Sequence, residues 1–435
     1  MGIDLRATTF RRLISLLLLI YLFCNQSLAQ VVQADSLVFE NKVFDESFKT
    51  IIFSKQNDNL SGPVLALNSN EKLKLQFDDL SEDAKDLSYT FIHYDRNGQK
   101  SLLTESDYIS GFNFDHIINF KNSFNTIQNY IHYELTFPNE NIQPIISGNY
   151  LLVVYDNSNP EKIYLTQRFW ITENTATLSA KILRANDIEI RNTHQEIDVK
   201  VNIGPTKINN PYDDSKLVIV QNNNFKNAIT NLNPVFIVDK EWDYNYDLEN
   251  TFVGGNEFRN FDVRSIKFLT QYIDHIQIDS LNKLFSVYLK KEEKKNTQRY
   301  AISDDINGRF LIKVYEGQDD ALESDYVYVN FNLPVMEKFD SAEVYLYGQL
   351  SNWEFSPAFT MNYNEDDGCY NKTLLVKQGY YNYLYFVNEK SSDSRSPLLV
   401  EGSHYETRNN YQLFFYSRDI GSRYDRLSGY ASIEN

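Results

Sequence analysis

Apolar and polar residues alternate in the stretch KLKLQFDDL, Lys72 to Leu80, so that Leu73, Leu75 and Phe77 face one way and Lys72, Lys74 and Gln76 the other. A period of two marks a strand with one buried face. The same alternation returns in SYTFIHYD, YIHYELTF, NYLLVVYD, EIDVKVNI, RFLIKVYE, YVYVNFNL, AEVYLYG and YYNYLYFVN. Turn-forming clusters separate these runs, at Asp95 to Gln99, Pro138 to Pro144 and Asp156 to Lys162. Short strands between tight turns predict an all-β chain of tandem immunoglobulin-like sandwiches. The best helical candidate, Ser265 to Phe285, also reads as two strands around an Asp-Ser turn, and strands are expected there.

Two shifts in composition suggest boundaries. After QRFWITEN the stretch NTATLSAKILRAN reads as a crossover, which sets a first sandwich at residues 30–174. Pro334 follows YVYVNFNL and has no N–H to give a ladder, which sets a middle sandwich at 175–333 and a last one at 334–435. The charged run Lys290 to Asn296 reads as a solvated loop of the middle sandwich. No fixed repeat shows, so a solenoid or propeller is not expected.

Composition agrees with strands: 31 Tyr and 29 Phe suit a pleated, half-buried surface. The first residues change the picture of where the chain works. Arg6, Arg11 and Arg12 precede the apolar run Leu13 to Phe23, and Ser27 and Ala29 form a small-residue site. This predicts a secretory signal peptide over 1–29. Cys24 follows Phe23 rather than a small residue, so cleavage after Ala29 is expected instead of acylation. The run is shorter than the about 20 residues that cross a bilayer core of ~30 Å, and a peripheral rather than integral protein is expected.

Once Cys24 has left, Cys369 stands alone, and stability has to come from packing without a disulfide. Losing the leader turns 42 basic and 59 acidic side chains into 39 and 58, a net charge of −19. Nucleic acid is therefore not an expected partner.

Chemistry is sparse. His93, His116, His132, His194, His275 and His404 show no metal-ligand spacing, and His93 and His132 read as hydrogen-bonded sheet residues. The acidic groups Asp78-Asp79, Asp304-Asp305 and Glu365 to Asp367 read as turn caps rather than a calcium or glycosidase site. No nucleophile elbow or phosphate loop occurs. The expectation is a protein that is not an enzyme and takes no metal, cofactor or small-molecule ligand.

Between Ala342 and Asn388 the chain carries Gly348, Asn352, Trp353, Gly368, Tyr370, Gly379, Tyr381, Tyr383 and Phe386 in an order that resembles the early-set sandwich of glycogen-binding modules. Core packing accounts for these residues, with Trp353 expected between the two sheets. The resemblance keeps open a second function, carbohydrate binding through this C-terminal module.

A wider likeness covers residues 36 to 430. SYTFIHYD, SDYISGFNFDHIINFKNSFNTIQNYIHYELTFPN, SGNYLLVVYD, GGNEFRNFD, KQGYYNYLYF, EGSHYETRNNYQLFFYSR and GSRYDRLSGY follow in an order that resembles the type IX secretion plug family. The resemblance implies a periplasmic protein at the inner face of the outer membrane. It would bind and close the periplasmic mouth of the large outer-membrane β-barrel translocon, preventing leakage when idle. For the partner surface, Gly254, Gly255, Asn256, Glu257, Phe258 and Arg259 read either as a contact loop or as a tight hairpin whose Arg259 pairs with Glu257 or Asp262. Tyr405 and Arg408 read either as an exposed loop tip or as residues that pin the last strands.

Overall fold

A computed structural model describes residues 37–81, 83–279, 283–389 and 394–435. The expected leader over 1–29, with Cys24, lies outside the described residues, as does the Asp-Ser turn at 279–280 in part. The chain is built almost wholly of strands, which form three sandwiches.

The first sandwich faces two antiparallel sheets. One runs Lys42–Val43, Asn159–Thr172, Gly148–Asp156, Leu87–Tyr94, Asp115–His116, with Val64–Ala66 alongside Asn159–Thr172. The other runs Phe48–Lys55, Leu73–Asp79, Ile131–Phe137, Asn119–Asn122. Leu73, Leu75 and Phe77 are fully buried between them, as their alternation requires. Burial of each such side chain is worth roughly 1.5–3 kcal/mol. A ladder of rings, Phe48 on Phe77 at 5.3 Å and Phe77 on Tyr133 at 5.2 Å, fills the layer. The other face of this sheet is not left to water, because Gln76 and Asp78 are also buried. They pack towards the third sandwich.

The second sandwich pairs the sheet Thr177–Arg184, His194–Asn202, Glu241–Asp243, Phe236–Val238 with the sheet Ile229–Leu232, Ser215–Gln221, Asn410–Ser417, Arg426–Glu434. Thr251–Val253 adds to His194–Asn202. The last two strands of the chain thus belong to the middle core, where Leu413 and Phe415 meet Leu217, Ile219 and Trp242.

The third sandwich lies between these contributions. Its first sheet runs Ile273–Ile278, Phe285–Leu289, Tyr326–Pro334, Cys369–Lys377, Asn362–Asn364. Its second is organised on Gly379–Glu389, which pairs with Arg259–Asp262, Phe310–Ile312, Ala342–Tyr347 and Ser394–Ser396. Of the two strands expected within Ser265 to Phe285, Ile273–Ile278 lies inside that segment, whereas its partner Phe285–Leu289 starts only at the segment's last residue.

This pairing corrects the boundary expected at 333/334. Tyr326–Pro334 pairs along its whole length with Cys369–Lys377, including Pro334 opposite Cys369. Proline there ends a strand without ending a domain. The third sandwich is an insertion in the second, leaving it after Val253 and returning before Asn410. Trp353 is also displaced from its expected place. It sits half-buried in a loop with φ of +61°, its ring 5.9 Å from Tyr347. Asp78 and Asp79, read as turn caps, are the last two residues of Leu73–Asp79; Asp79 does cap the turn that follows, accepting from Ser81 N–H at 2.9 Å, whereas Asp78 is buried in an ion pair with Lys377.

Candidate functional site

The segment Gly254 to Arg259 carries the chain out of the second sandwich, and residues 401 to 409 carry it back alongside. Gly254 N–H donates to Thr193 O at 2.8 Å, and Asn409 Nδ2 donates to Gly254 O at 2.7 Å. Gly255 O accepts from His404 N–H and from Thr407 Oγ1, both at 2.9 Å. Asn256 Nδ2 reaches Glu401 O at 2.8 Å. Glycine is needed twice for different reasons: a Cβ on Gly254 would collide with His404 O, whereas Gly255 has open space but φ of +66°.

The following side chains turn inward. Arg259 is 2% exposed, and its Nε bonds both oxygens of buried Glu401 at 3.0 and 3.1 Å. Its Nη1 bonds Glu292 at 3.0 Å and its Nη2 bonds Glu293 O at 2.9 Å. Glu257, 1% exposed, accepts from Tyr300 and from Arg408 N–H. Phe258, 2% exposed, packs with Tyr347 and Phe386, and its N–H bonds Asp305 at 2.8 Å. Burial, aided by nearby Glu257, pushes the Asp305 carboxyl up to about 6.

The contact-loop reading of these residues is therefore corrected, and so is the partner named for the hairpin: Arg259 pairs with Glu401 and Glu292, not with Glu257 or Asp262. The run Lys290 to Asn296 is likewise not wholly solvated, since Glu292 belongs to this clamp. At the return, Tyr405 lies under the Arg184 guanidinium at 4.5 Å, and Gln195 Nε2 donates to Tyr405 O at 2.7 Å. Arg408 bonds Asp304 at 3.3 Å and stands 3.7 Å from Glu257. Both residues pin the returning chain.

Beside this crossing lies a cleft of about 540 Å³. One wall is rich in amides, with Asn222, Asn224 and Asn256, and the other is apolar, with Phe258, Leu384 and Phe386. Sugar binding asks for a free aromatic face. Tyr347 instead stacks on Phe355 at 4.7 Å and meets Phe386 at 4.7 Å, so those faces are already covered.

A second buried cluster joins the first and third sandwiches; the sequence singled out its Asp78 and His132 separately but not their partners Lys377 and Tyr326. Asp78 takes Lys377 Nζ at 2.7 Å and Tyr326 Oη at 2.7 Å on one oxygen, and His132 Nδ1 at 2.6 Å on the other. Lys377 also lies 4.0 Å over the Tyr130 ring. Burial raises the Asp78 carboxyl, but Lys377 and His132 outweigh it and hold the group below the usual carboxylate range. His93, the other sheet histidine, bonds Ser147 O at 3.2 Å. These charges are spent on one another, so the clusters serve to lock sandwiches rather than to move protons. Among the described residues no group of His, Cys, Asp or Glu is placed to hold a metal ion, and no helix is long and apolar enough to cross a membrane.

Residues 48–173 match the family model of the type 9 secretion system plug protein first domain. The whole fold is similar to the crystal structure of a hypothetical protein from Parabacteroides merdae, with 30% identity and a TM-score of 0.89, covering 92% of this chain and 100% of that one. Dimeric latent PorU from Porphyromonas gingivalis aligns at 11% identity and a TM-score of 0.14, covering 89% of this chain and 34% of that one, and carries no argument. No curated protein matches the chain.

Proposed function

This chain belongs to the type 9 secretion system plug protein family, and from that premise we propose that it closes the periplasmic mouth of the secretion barrel when no cargo is passing. In this reading the protein is exported by its first 29 residues and works in the periplasm at the inner face of the outer membrane. It binds the barrel and catalyses nothing.

The match of residues 48–173 to the plug family's first domain is the observation that carries the reading. The physics supports it. A stopper has to stay in one shape under load, and three sandwiches tied by buried ion pairs and by a double crossing of the chain form a stiff body. The net charge of −19 expected after leader removal disfavours anionic lipid surfaces and leaves a protein as the natural partner.

Deletion of the gene tests the proposal, with entry of large hydrophilic probes through the secretion barrel as the readout. Increased entry, reversed by restoring the gene, is the expected result, together with copurification of an outer-membrane barrel. Unchanged entry, with no barrel recovered, would overturn it.

A further inference from the structure

We propose that the strand Phe236–Val238 is a docking edge which accepts an extended polypeptide segment as an added β-strand, one bearing alternate apolar side chains flanked by basic residues. The strand lies at the end of its sheet and pairs only with Glu241–Asp243, so one side of its backbone has no ladder. Phe236, Ile237 and Val238 are 69%, 39% and 72% exposed, and Val235 before them is 42% exposed. Unpaired edges template further pairing, and proteins guard them with charges inside the strand. Three other exposed edges here follow that rule: Asn119–Asn122 contains Lys121, Thr177–Arg184 contains Lys181 and Arg184, and Ile273–Ile278 contains Asp274, while Ile229–Leu232 and Asn362–Asn364 carry polar Thr and Asn instead. Among the described edge strands, Phe236–Val238 alone is wholly apolar and wholly exposed.

The edge is also held ready. Trp242, on its partner strand, is buried in the middle core. At its base Tyr246 Oη accepts from Asn233 N–H at 3.1 Å and donates to Asn233 O at 2.6 Å. Asp239 makes the following turn with φ of +54°. A prearranged edge loses little freedom when a strand is added, and main-chain hydrogen bonds then supply affinity while alternate side chains supply specificity.

Charge selects the occupant. Asp239 follows the strand directly and Glu241 and Asp243 stand opposite Val238 and Phe236 on its partner, against Lys240 and Lys200, and Lys200 already stands 3.6 Å from Asp243, in a chain whose net charge is −17. A second copy of the chain would bring the same acidic flank and repel it. A segment with Lys or Arg at its ends is complementary.

The proposal takes its protein occupant from the plug reading, but its test uses a peptide alone, so either can fail without the other. The probe is a synthetic peptide of alternating Val and Thr with a Lys pair at each end, added to the full chain, and the readout is backbone amide exchange. Slowing of exchange confined to residues 235–238 is expected, with binding at least about tenfold weaker for the same peptide ended by Glu pairs. The double variant Phe236→Lys, Val238→Lys, changed only at exposed positions, should keep its thermal melt and lose the protection. No protection at this strand, protection that survives in the variant, or equal binding of the Glu-ended peptide would overturn the proposal. A dimer of the wild-type chain that the double variant abolishes would overturn it as well, by making a second copy the occupant.

Discussion

Lys377 sets its ammonium 2.7 Å from the Asp78 carboxylate, with both side chains 1% exposed, and the two residues belong to different sandwiches. Neither charge meets water, so each depends on the other for its solvation. Tyr326 and His132 complete the shell of Asp78.

Removing one partner should therefore cost more than removing both. Lys377→Met is expected to destabilise the protein by about 3–5 kcal/mol, because it strands a buried carboxylate. Adding Asp78→Leu to it should recover much of that loss. Urea unfolding of the two variants measures the difference.

The same cluster gives stability a pH dependence of known sign. Burial would lower the His132 pKa, but hydrogen bonds to Asp78 and Glu134 outweigh it and the net shift is upward. A raised folded pKa stabilises fully below the unfolded value of about 6.5 and ceases to do so as pH rises through the folded value. Melting temperature should fall as pH rises above about 6.5 in the wild type, and fall less in His132→Gln. Thermal scans across that range check it.

The crossing makes two neighbouring glycines respond differently. Gly254→Ala drives a methyl into the carbonyl of His404 and should cost about 2–4 kcal/mol through backbone displacement. Gly255→Ala meets no atom but must hold φ of +66°, a cost of about 1–2 kcal/mol. Denaturant midpoints of the two variants order them.

Truncation after residue 405 should spare one core and destroy another. It removes Asn410–Ser417 and Arg426–Glu434, half of one sheet of the second sandwich, and uncovers Leu217 and Ile219. The first sandwich draws its core from residues 48 to 171. Limited proteolysis is expected to leave that part protected while residues 177–253 are digested.

Glycan binding can be tested only on the whole chain, since the segment from Pro334 onward shares sheets with earlier strands, Ser215–Gln221 of the second sandwich and Tyr326–Pro334 of the third. The expected outcome is no retardation on glycan affinity gels and no change in Trp353→Ala. Retardation lost in that variant would restore the carbohydrate reading.

Alternation made many strands legible: Leu73, Leu75 and Phe77 announced their buried face, and Ile273–Ile278 fell within the expected segment, although its partner Phe285–Leu289 starts only at the end of it. It could not say which strand lies beside which. The pairing of Tyr326–Pro334 with Cys369–Lys377 leaves no local trace, and Pro334 pointed the other way. Arg259 has its carboxylate 142 positions away at Glu401, so local reading supplied nearer and wrong partners. Val235 to Val238 illustrates the same limit, for an apolar run reads as core unless the topology is known to leave it on an edge. Asp78 hides equally well, because nothing in KLKLQFDDL says that the polar face will be roofed by a distant lysine.

The insertion of one sandwich inside another also orders events in time. A chain emerging from its N-terminus can finish the first sandwich early and the inserted one next, but the middle one must wait for the final residues, since Asn410–Ser417 and Arg426–Glu434 complete its sheet. Long-range pairing of this kind is slow and leaves apolar surface uncovered meanwhile. Assembly is thereby gated on arrival of these last two strands, so that copies lacking them announce themselves to proteases instead of accumulating.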